Sequence, residues 1–318
     1  SSIINLELPE VVEKIGKEAF SECYSLVNIN IPQNTKQLGD SAFKGCVSLR
    51  KIEIPETIKT IEDNTFKGCG NLSEIKMSET LNNIGQYAFV GCENIKEFNI
   101  PKNVKNIGYG AFFNCKNLTN VSIPKGVTSI NQNVFEYCEN LEEVDMPKTV
   151  TTIGDNAFKG CQNLSNINIP KEVVSIGKGS FAGCEALTEI EIPKNVQIIG
   201  EEAFEGCVGL EKVTIPENVS EIGYNVFRKC DNLEEITIPQ NISKEEFRIM
   251  HLAKPRTQEI PVILYENEKK YAKTSEGVEE KNVDEKEKPS PVVEEDKSLV
   301  KETSFFGKLK DFFGSIFK

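Results

Sequence analysis

The chain has 318 residues, of which 37 are basic and 49 acidic, and its formal net charge is −12. This charge disfavours nucleic acids and anionic lipids as partners, because both bind proteins largely through counterions released by basic side chains. No apolar run is long enough to span a bilayer, and the opening SSIINLELP lacks the basic, apolar and small-residue regions of a signal peptide. We therefore expect no nucleic-acid partner and no membrane-spanning helix.

A 23-residue repeat organises the chain as far as residue 242, and it is clearest in residues 148–170, KTVTTIGDNAFKGCQNLSNINIP. Phenylalanine recurs at this interval from Phe20 to Phe227. A fixed period is typical of a solenoid, in which each unit covers the next, so we expect one elongated domain. Every cysteine of the chain keeps the same interval: Cys23, Cys46, Cys69, Cys92, Cys115, Cys138, Cys161, Cys184, Cys207 and Cys230.

The chain starts in the middle of a repeat, because Ile3, Leu6, Leu8 and Pro9 occupy repeat positions. From this start we expect a processed or excised fragment. Within each repeat, a segment such as LSNINIP at residues 164–170 alternates apolar and polar residues before a proline, as a half-buried strand does. We expect eleven such strands, stacked as one parallel sheet.

The other half of each repeat, VTTIGDNAF at residues 150–158, is too short for a long helix and contains a glycine. It predicts turns, short extended pieces and a 3₁₀ turn. Glycine recurs in most repeats at the position of Gly154, which we interpret as a residue with positive φ.

The equal spacing of the cysteines predicts a column of parallel side chains inside the stack. Adjacent strands lie roughly 4.8 Å apart, but parallel Cβ vectors do not suit a disulfide, so we expect buried, reduced thiols that react only after unfolding. Disulfides are the alternative. A zinc site is disfavoured, because there is no C-x2-C pair and His251 is the only histidine.

After residue 242 the repeat gives way to three further segments. Residues 243–265 predict a C-terminal cap: Ser243 and Glu246 form a capping box, a short helix follows with Phe247, and residues 260–265 complete the cap. His251 in this helix is interpreted as a core-edge residue and not a catalyst. Residues 266–303 are rich in Glu, Lys, Pro, Ser and Val, which predicts a disordered acidic linker.

Residues 304–318 predict an amphipathic helix that contacts a membrane surface, because their apolar residues recur at intervals of three and four beside lysines. The segment is too short to span a bilayer. Docking of the segment on the repeat domain is the alternative. The predicted membrane-contacting residues are Phe305, Phe306, Leu309, Phe312 and Phe313.

The unit LxxIxIPxxVxxIGxxAFxxCxx, repeated ten times over residues 3–242, resembles the treponemal or BspA-like class of leucine-rich repeat. The resemblance implies a right-handed solenoid with a parallel sheet on its concave side and turns on its convex side. It further implies a surface-exposed protein that acts in adhesion to host proteins, matrix or other cells, without catalysis. No export signal or wall anchor is recognised in the chain.

The outward residues of the predicted strands form a regular polar grid, acidic and rich in asparagine in its middle and free of aromatic residues. We predict that it binds a basic protein surface, or a cation weakly, and a solvated face is the alternative. The lack of aromatic residues argues against carbohydrate stacking or a hydrophobic anchor there. The predicted partner-binding residues are Glu97, Asn120, Glu143, Asp145, Asn166, Asn168, Glu189 and Glu191.

No pattern in the sequence indicates catalysis or a cofactor. The repeats lack histidine, a nucleophile elbow, a phosphate-binding glycine loop and metal-ligand spacing. The leading hypothesis is a non-enzymatic adhesion protein at a cell surface. The alternative is an intracellular interaction scaffold, cytoplasmic and held at a membrane by residues 304–318.

Overall fold

The computed structural model describes residues 3–251 and 261–264. Over these residues the chain forms a parallel β-solenoid of about eleven turns with almost no helix, which confirms the predicted repeat fold. Most turns contain two short strands: a proline turn follows the first strand, and a longer run of turns follows the second.

The first strand of each turn is the alternating segment before the proline, with a central residue turned into the core and exposed neighbours on either side. The outward residues of this row form a surface that we call the strand face. The row comprises β1 (Asn5–Glu7), β3 (Asn28–Asn30), β5 (Lys51–Glu53), β7 (Glu74–Lys76), β10 (Asn120–Ser122), β12 (Glu143–Asp145), β14 (Asn166–Ile167), β16 (Glu189–Glu191), β18 (Lys212–Thr214) and β20 (Glu235–Ile238).

The second strand has only two residues and follows the proline turn. This second row confirms the short extended pieces predicted for the half of the repeat that follows the proline. The 3₁₀ turn predicted for the same half is wrong, because the described residues form other turns in its place. Its members are β2 (Lys14–Ile15), β4 (Gln37–Leu38), β6 (Thr60–Ile61), β8 (Asn83–Ile84), β9 (Asn106–Ile107), β11 (Ser129–Ile130), β13 (Thr152–Ile153), β15 (Ser175–Ile176), β17 (Ile198–Ile199) and β19 (Glu221–Ile222).

The strand face is divided, so the prediction of one continuous sheet is wrong. Its strands pair in the orders β1-β3-β5-β7, β10-β12-β14 and β16-β18-β20-β21, where β21 is Val262–Leu264. The expected strand at Glu97 is reduced to a single bridge with Asn120.

The first gap coincides with Phe98, the only aromatic residue in an otherwise aliphatic inward column. Its ring packs edge-on against Phe89 and Phe112, with centroids 4.9 and 4.8 Å apart. We attribute the loss of strand pairing to this larger side chain, because a ring in the core displaces the backbone that carries it. Nothing in the structure explains the second gap, between β14 and β16.

The recurrent glycines do not have positive φ, so that part of the prediction is wrong. The left-handed residues occupy two other columns, represented by Asn156 (φ 53°) and Gly160 (φ 72°). Gly154 is needed for a different reason: a Cβ atom there would lie 2.8 Å from the backbone nitrogen of Gln132 in the preceding repeat. The position is glycine because the coils approach each other too closely for a side chain.

The core is a set of columns, of which the phenylalanine column is the largest. Successive rings from Phe20 to Phe227 stack with centroids 5.4–5.6 Å apart and interplanar angles of 2–13°. Leucine, isoleucine and valine columns surround the rings and are almost fully buried. One repeat alone would leave both faces of its ring exposed, so stability is collective.

Two elements cover the last repeat. Helix α1 (Lys244–His251) places the buried Phe247 ring 6.3 Å from the ring of Phe227. Strand β21 pairs parallel with β20 and buries Val262. The division into a solenoid of residues 1–242 and a cap of residues 243–265 stays a prediction, and the linker of residues 266–303 and the segment 304–318 lie outside the described residues. The predicted roles of the Glu246 and His251 side chains also lie outside the described part.

The ten cysteines are free thiols, and nine of them are buried. Each buried thiol donates to the carbonyl of a phenylalanine in the preceding repeat, as Cys161 does to Phe135 at 3.1 Å. Cys23 is only partly buried, because the chain before it covers the first repeat incompletely. The prediction of full burial is therefore wrong for this one thiol.

We expect Cys23 alone to react with a water-soluble maleimide in the native protein, and the other nine to react only in denaturant. Mass spectrometry of the labelled protein counts the adducts. A Cys23→Ser variant serves as control and should take up no label before unfolding. Rapid native labelling of a second cysteine would contradict the buried column.

Alkaline pH should destabilise the fold through the cysteine column. Burial raises the pKa of Cys46 and Cys138 to about 12 and that of Cys115 and Cys161 well above its usual value. A raised folded-state pKa makes these thiols a source of stability below their unfolded pKa of about 8.5, and this stability declines as the pH rises above it.

Thermal unfolding at pH 7.5 and pH 10 with a reductant present tests this expectation. The reference is a Cys115→Ala, Cys138→Ala variant, in which two titrating groups are absent. The decrease in Tm between the two pH values should be smaller in the variant than in the original chain. Equal decreases would show that other groups dominate the alkaline response.

Candidate functional site

The strand face carries paired charges in its first ladder, which is formed by β1, β3, β5 and β7. Lys51 lies 3.3 Å from Glu74, and Lys76 lies 2.7 Å from Glu53, so each lysine meets a carboxylate of the neighbouring repeat. The hydrogen bond with Glu53 raises the pKa of Lys76. This part of the face is electrically balanced and offers little to a charged partner.

The middle of the strand face brings together several of the predicted partner-binding residues. The bridge of Glu97 to Asn120 and the pairing of β10, β12 and β14 set Glu97, Asn120, Glu143 and Asn166 side by side. Asn166 donates to Glu143 at 3.3 Å.

Asp145 is the other outward residue of β12, two positions after Glu143. It accepts a hydrogen bond from Ser122 at 3.2 Å. The partners of Glu143 and Asp145 are thus neutral groups, in contrast to the ion pairs of the first ladder.

Three predicted residues are placed less closely than expected. Asn168 lies beyond the end of β14, and Glu189 and Glu191 belong to β16, which pairs with β18 and not with β14. The side chains Glu143, Asp145, Glu189 and Glu191, which we call the carboxylate field, therefore span a gap between two ladders. Within the described residues, none of the four forms an ion pair.

Two adjoining clefts open where the ladder is interrupted at Phe98. A cleft of about 400 Å³ lies on the strand face between Glu97, Asn120 and Asp145. A cleft of about 900 Å³ continues over the prolines, with Ile100, Ile123 and Met146 as apolar lining and Lys102, Lys125 and Lys148 at its edge. Both clefts include Phe98, Asn99, Ser122 and Asp145.

The sequence prediction included Glu97, Asn120, Glu143 and Asp145, which line the smaller cleft, but missed Asn99, Ser122 and the residues beyond the strands. The signal that could have found the cleft is Phe98, a single aromatic residue in a column of Leu, Ile and Val. A departure from a strict repeat marks the place where the stack has to adjust.

The exposed aromatic side chains lie on the turns and not on the strand face. Tyr87, Tyr109 and Tyr137 are 38%, 49% and 39% exposed. Lys67 lies 5.5 Å from the ring centroid of Tyr87, and Phe113 packs edge-on against Tyr137. This turn cluster is a second surface able to contact a partner, and it lies outside the strand columns on which the sequence prediction was based.

The structure does not support the predicted weak cation site. Among the described residues, no three or more His, Cys, Asp or Glu side chains gather into a group that could hold a metal ion. The carboxylate field is spread over separate strands instead of converging. Residues 3–251 and 261–264 also contain no helix with the length and apolar character to cross a bilayer. Phe305, Phe306, Leu309, Phe312 and Phe313 lie outside the described residues.

Comparison with known proteins agrees with this architecture. The BspA type leucine rich repeat region, in six copies, matches residues 1–119, 59–184 and 151–254. No curated protein matches the chain.

Several crystal structures are similar. A T. pallidum leucine rich repeat protein is 33% identical over 52% of this chain and 79% of its own, with a TM-score of 0.49. A leucine rich cell surface protein from Faecalibacterium prausnitzii is 25% identical over 80% of this chain and 83% of its own, with a TM-score of 0.50.

The pneumococcal vaccine antigen PcpA is 21% identical over 75% of this chain and 62% of its own, with a TM-score of 0.54, and this likeness concerns the fold alone. The family match spans the entire solenoid, from strand β1 to helix α1. Together with the 23-residue register of phenylalanine and cysteine columns, it shows that the chain belongs to the BspA-type leucine-rich repeat family.

Proposed function

We propose that this chain is a non-enzymatic protein-binding protein that acts in adhesion at a cell surface, and that the middle of its strand face is the contact surface. The observation that carries the proposal is the carboxylate field without ion pairs, beside a first ladder whose charges are paired. A family built from leucine-rich repeats is consistent with protein binding. The cell-surface description of the F. prausnitzii relative supports the proposed location.

The chemistry of the field favours a basic protein surface as partner. Glu143 and Asp145 share the outward side of β12, and Glu189 and Glu191 share that of β16, so each strand holds two uncompensated carboxylates two residues apart. These carboxylates repel each other, and an approaching Lys- or Arg-rich surface relieves that repulsion. Such contacts accelerate association and weaken with salt. The amide and hydroxyl groups of Asn120, Asn166 and Ser122 lie between the carboxylates and add hydrogen-bonding partners that carry no charge.

The test variant changes Glu143, Glu189 and Glu191 to Gln and Asp145 to Asn. It should bind more weakly to cultured cells or immobilised matrix proteins and should still fold. The variant retains the shape of the face and removes four repelling charges, so its Tm should be unchanged or slightly higher. Binding of the original chain should fall with added salt, whereas the remaining binding of the variant should be nearly insensitive to it.

A matched control replaces four exposed carboxylates elsewhere, Glu10, Glu79, Glu172 and Glu217, and makes the net charge less negative by the same amount. It should bind almost as well as the original chain. If both variants bind alike, the strand face is only a solvated surface, and the turn cluster of Tyr87, Tyr109 and Tyr137 becomes the better contact surface.

The alternative function is an intracellular scaffold held at a membrane by residues 304–318. The sequence pattern that favours it is the recurrence of apolar residues at intervals of three and four in this segment, beside Lys308 and Lys310. An export signal encoded before Ser1 would favour the surface protein over this alternative.

Sedimentation with liposomes tests the membrane contact. We expect the full chain to sediment with the vesicles, and both a chain ending at Thr303 and a variant with Phe305, Phe306, Phe312 and Phe313 changed to Ser to remain in solution. Equal sedimentation of all three proteins would leave only docking of the segment on the repeat domain.

A further inference from the structure

Five lysines form a row beside the repeated prolines of the solenoid, a side that we call the proline edge. The chain as a whole is acidic. Each lysine directly follows the proline of its repeat, and all five side chains are exposed. The same position holds Glu79 in the repeat before the row and Glu217 in the repeat after it. The lysine column comprises Lys102, Lys125, Lys148, Lys171 and Lys194.

The fold holds the backbone of this column in a regular row. Four residues beyond the lysines, β11, β13, β15 and β17 pair in strict 23-residue register. The carbonyl of Lys125 accepts from Thr149 Oγ1 at 3.0 Å. The carbonyls of Lys171 and Lys194 accept from the Asn195 and Asn218 side-chain amides at 2.7 Å. At a strand spacing of about 4.8 Å, the four lysines from Lys125 to Lys194 extend over roughly 14 Å of the solenoid. Lys102 precedes β9, which is not paired with β11.

The lysine column has no compensating carboxylates. Several lysines in other columns meet a carboxylate one repeat away, as Lys36 meets Glu13 at 3.0 Å and Lys178 meets Glu201 at 2.6 Å. Along the column the residue one repeat away is another lysine, and no member forms an ion pair with any described residue. The row therefore concentrates positive charge that an external anion would neutralise.

A second, independent observation is the larger cleft. Lys102, Lys125 and Lys148 line it together with Asn99, Ser122 and Asp145. The lysines provide positive charge, the asparagine amide and serine hydroxyl both donate and accept hydrogen bonds, and the Asp145 carboxylate accepts them. A ligand that fits is extended and anionic, and it also carries hydrogen-bond donors for the acceptor positions that Asp145 has beyond its bond with Ser122.

We propose that the lysine column and this cleft bind a linear anionic polysaccharide that lies along the solenoid axis. Such a polymer combines regularly spaced carboxylate or sulfate groups with hydroxyl groups. An acidic peptide carries a carboxylate on most of its residues, and Asp145 repels those that come near it, whereas a polysaccharide places hydroxyl groups between its charged groups. A single-stranded nucleic acid gains much of its affinity from aromatic side chains that stack on bases, and Phe98, the only aromatic residue of the cleft, is 3% exposed.

The test measures binding of the full chain to heparin, a sulfated polysaccharide, and to polygalacturonate, a carboxylated one, by titration at low and moderate salt. The variant changes Lys125, Lys148 and Lys171 to Glu, the residue that the chain already carries in this column at positions 79 and 217. The control changes the exposed Lys17, Lys44 and Lys96 to Glu and alters the net charge equally.

We expect the original chain to bind at least one of the two polymers. The column variant should bind that polymer at least about tenfold more weakly, whereas the affinity of the control should stay within about twofold of the original chain. The salt dependence of binding should decrease only in the column variant. Neutral dextran should not bind. Failure of both anionic polymers to bind, or an equal loss in the control, would overturn the proposal. Equal or tighter binding of polyuridylate or polyglutamate would overturn it in favour of a nucleic acid or an acidic protein.

Discussion

The stacking of each residue on its equivalent 23 positions away is the constraint on which this structure depends. It turns one phenylalanine per repeat into a continuous stack of rings, with centroids 5.4–5.6 Å apart. It also lets the buried thiol of a repeat donate to the carbonyl of the phenylalanine in the preceding repeat, as Cys92 donates to Phe66 at 3.2 Å. No single repeat can make these contacts, so the protein is stable only as an array.

The same constraint organises the surface, because outward side chains are forced into columns as well. A column whose residues alternate in charge compensates itself, as Lys51 and Glu74 do on the first ladder. A column of like residues cannot, and its charge accumulates along the axis. The row of lysines at the proline edge is of this second kind. In the acidic middle of the strand face, carboxylates alternate with neutral Asn and Ser residues, so their charge is also left uncompensated. The two surfaces lie beside each other across the larger cleft. The molecule can thus present opposite charges on adjoining surfaces while its net charge remains −12.

Departures from the repeat are where the solenoid acquires individual features. Phe98 replaces an aliphatic residue, packs between Phe89 and Phe112, and coincides with the loss of a strand and the opening of two clefts. Tyr87 and Tyr137 occupy left-handed positions that most other repeats fill with asparagine or glycine, at φ values of 54° and 59°. Bulky residues are unfavourable there, so their presence on exposed turns costs conformational energy that the stack has to offset.

The period, the buried columns, most of the strands and the outward position of Glu97, Asn120, Glu143 and Asp145 could be predicted from the order of amino acids, because each follows from which residues share a place in the repeat. The folded chain was needed to show that Gly154 is required by the close approach of Gln132, that Cys23 is partly uncovered, and that β14 and β16 do not pair. A period reveals which residues lie in one column. It does not reveal how near two coils come, how an end of the stack is covered, or how a coil adjusts to one larger ring, since these depend on distances between residues far apart in the chain.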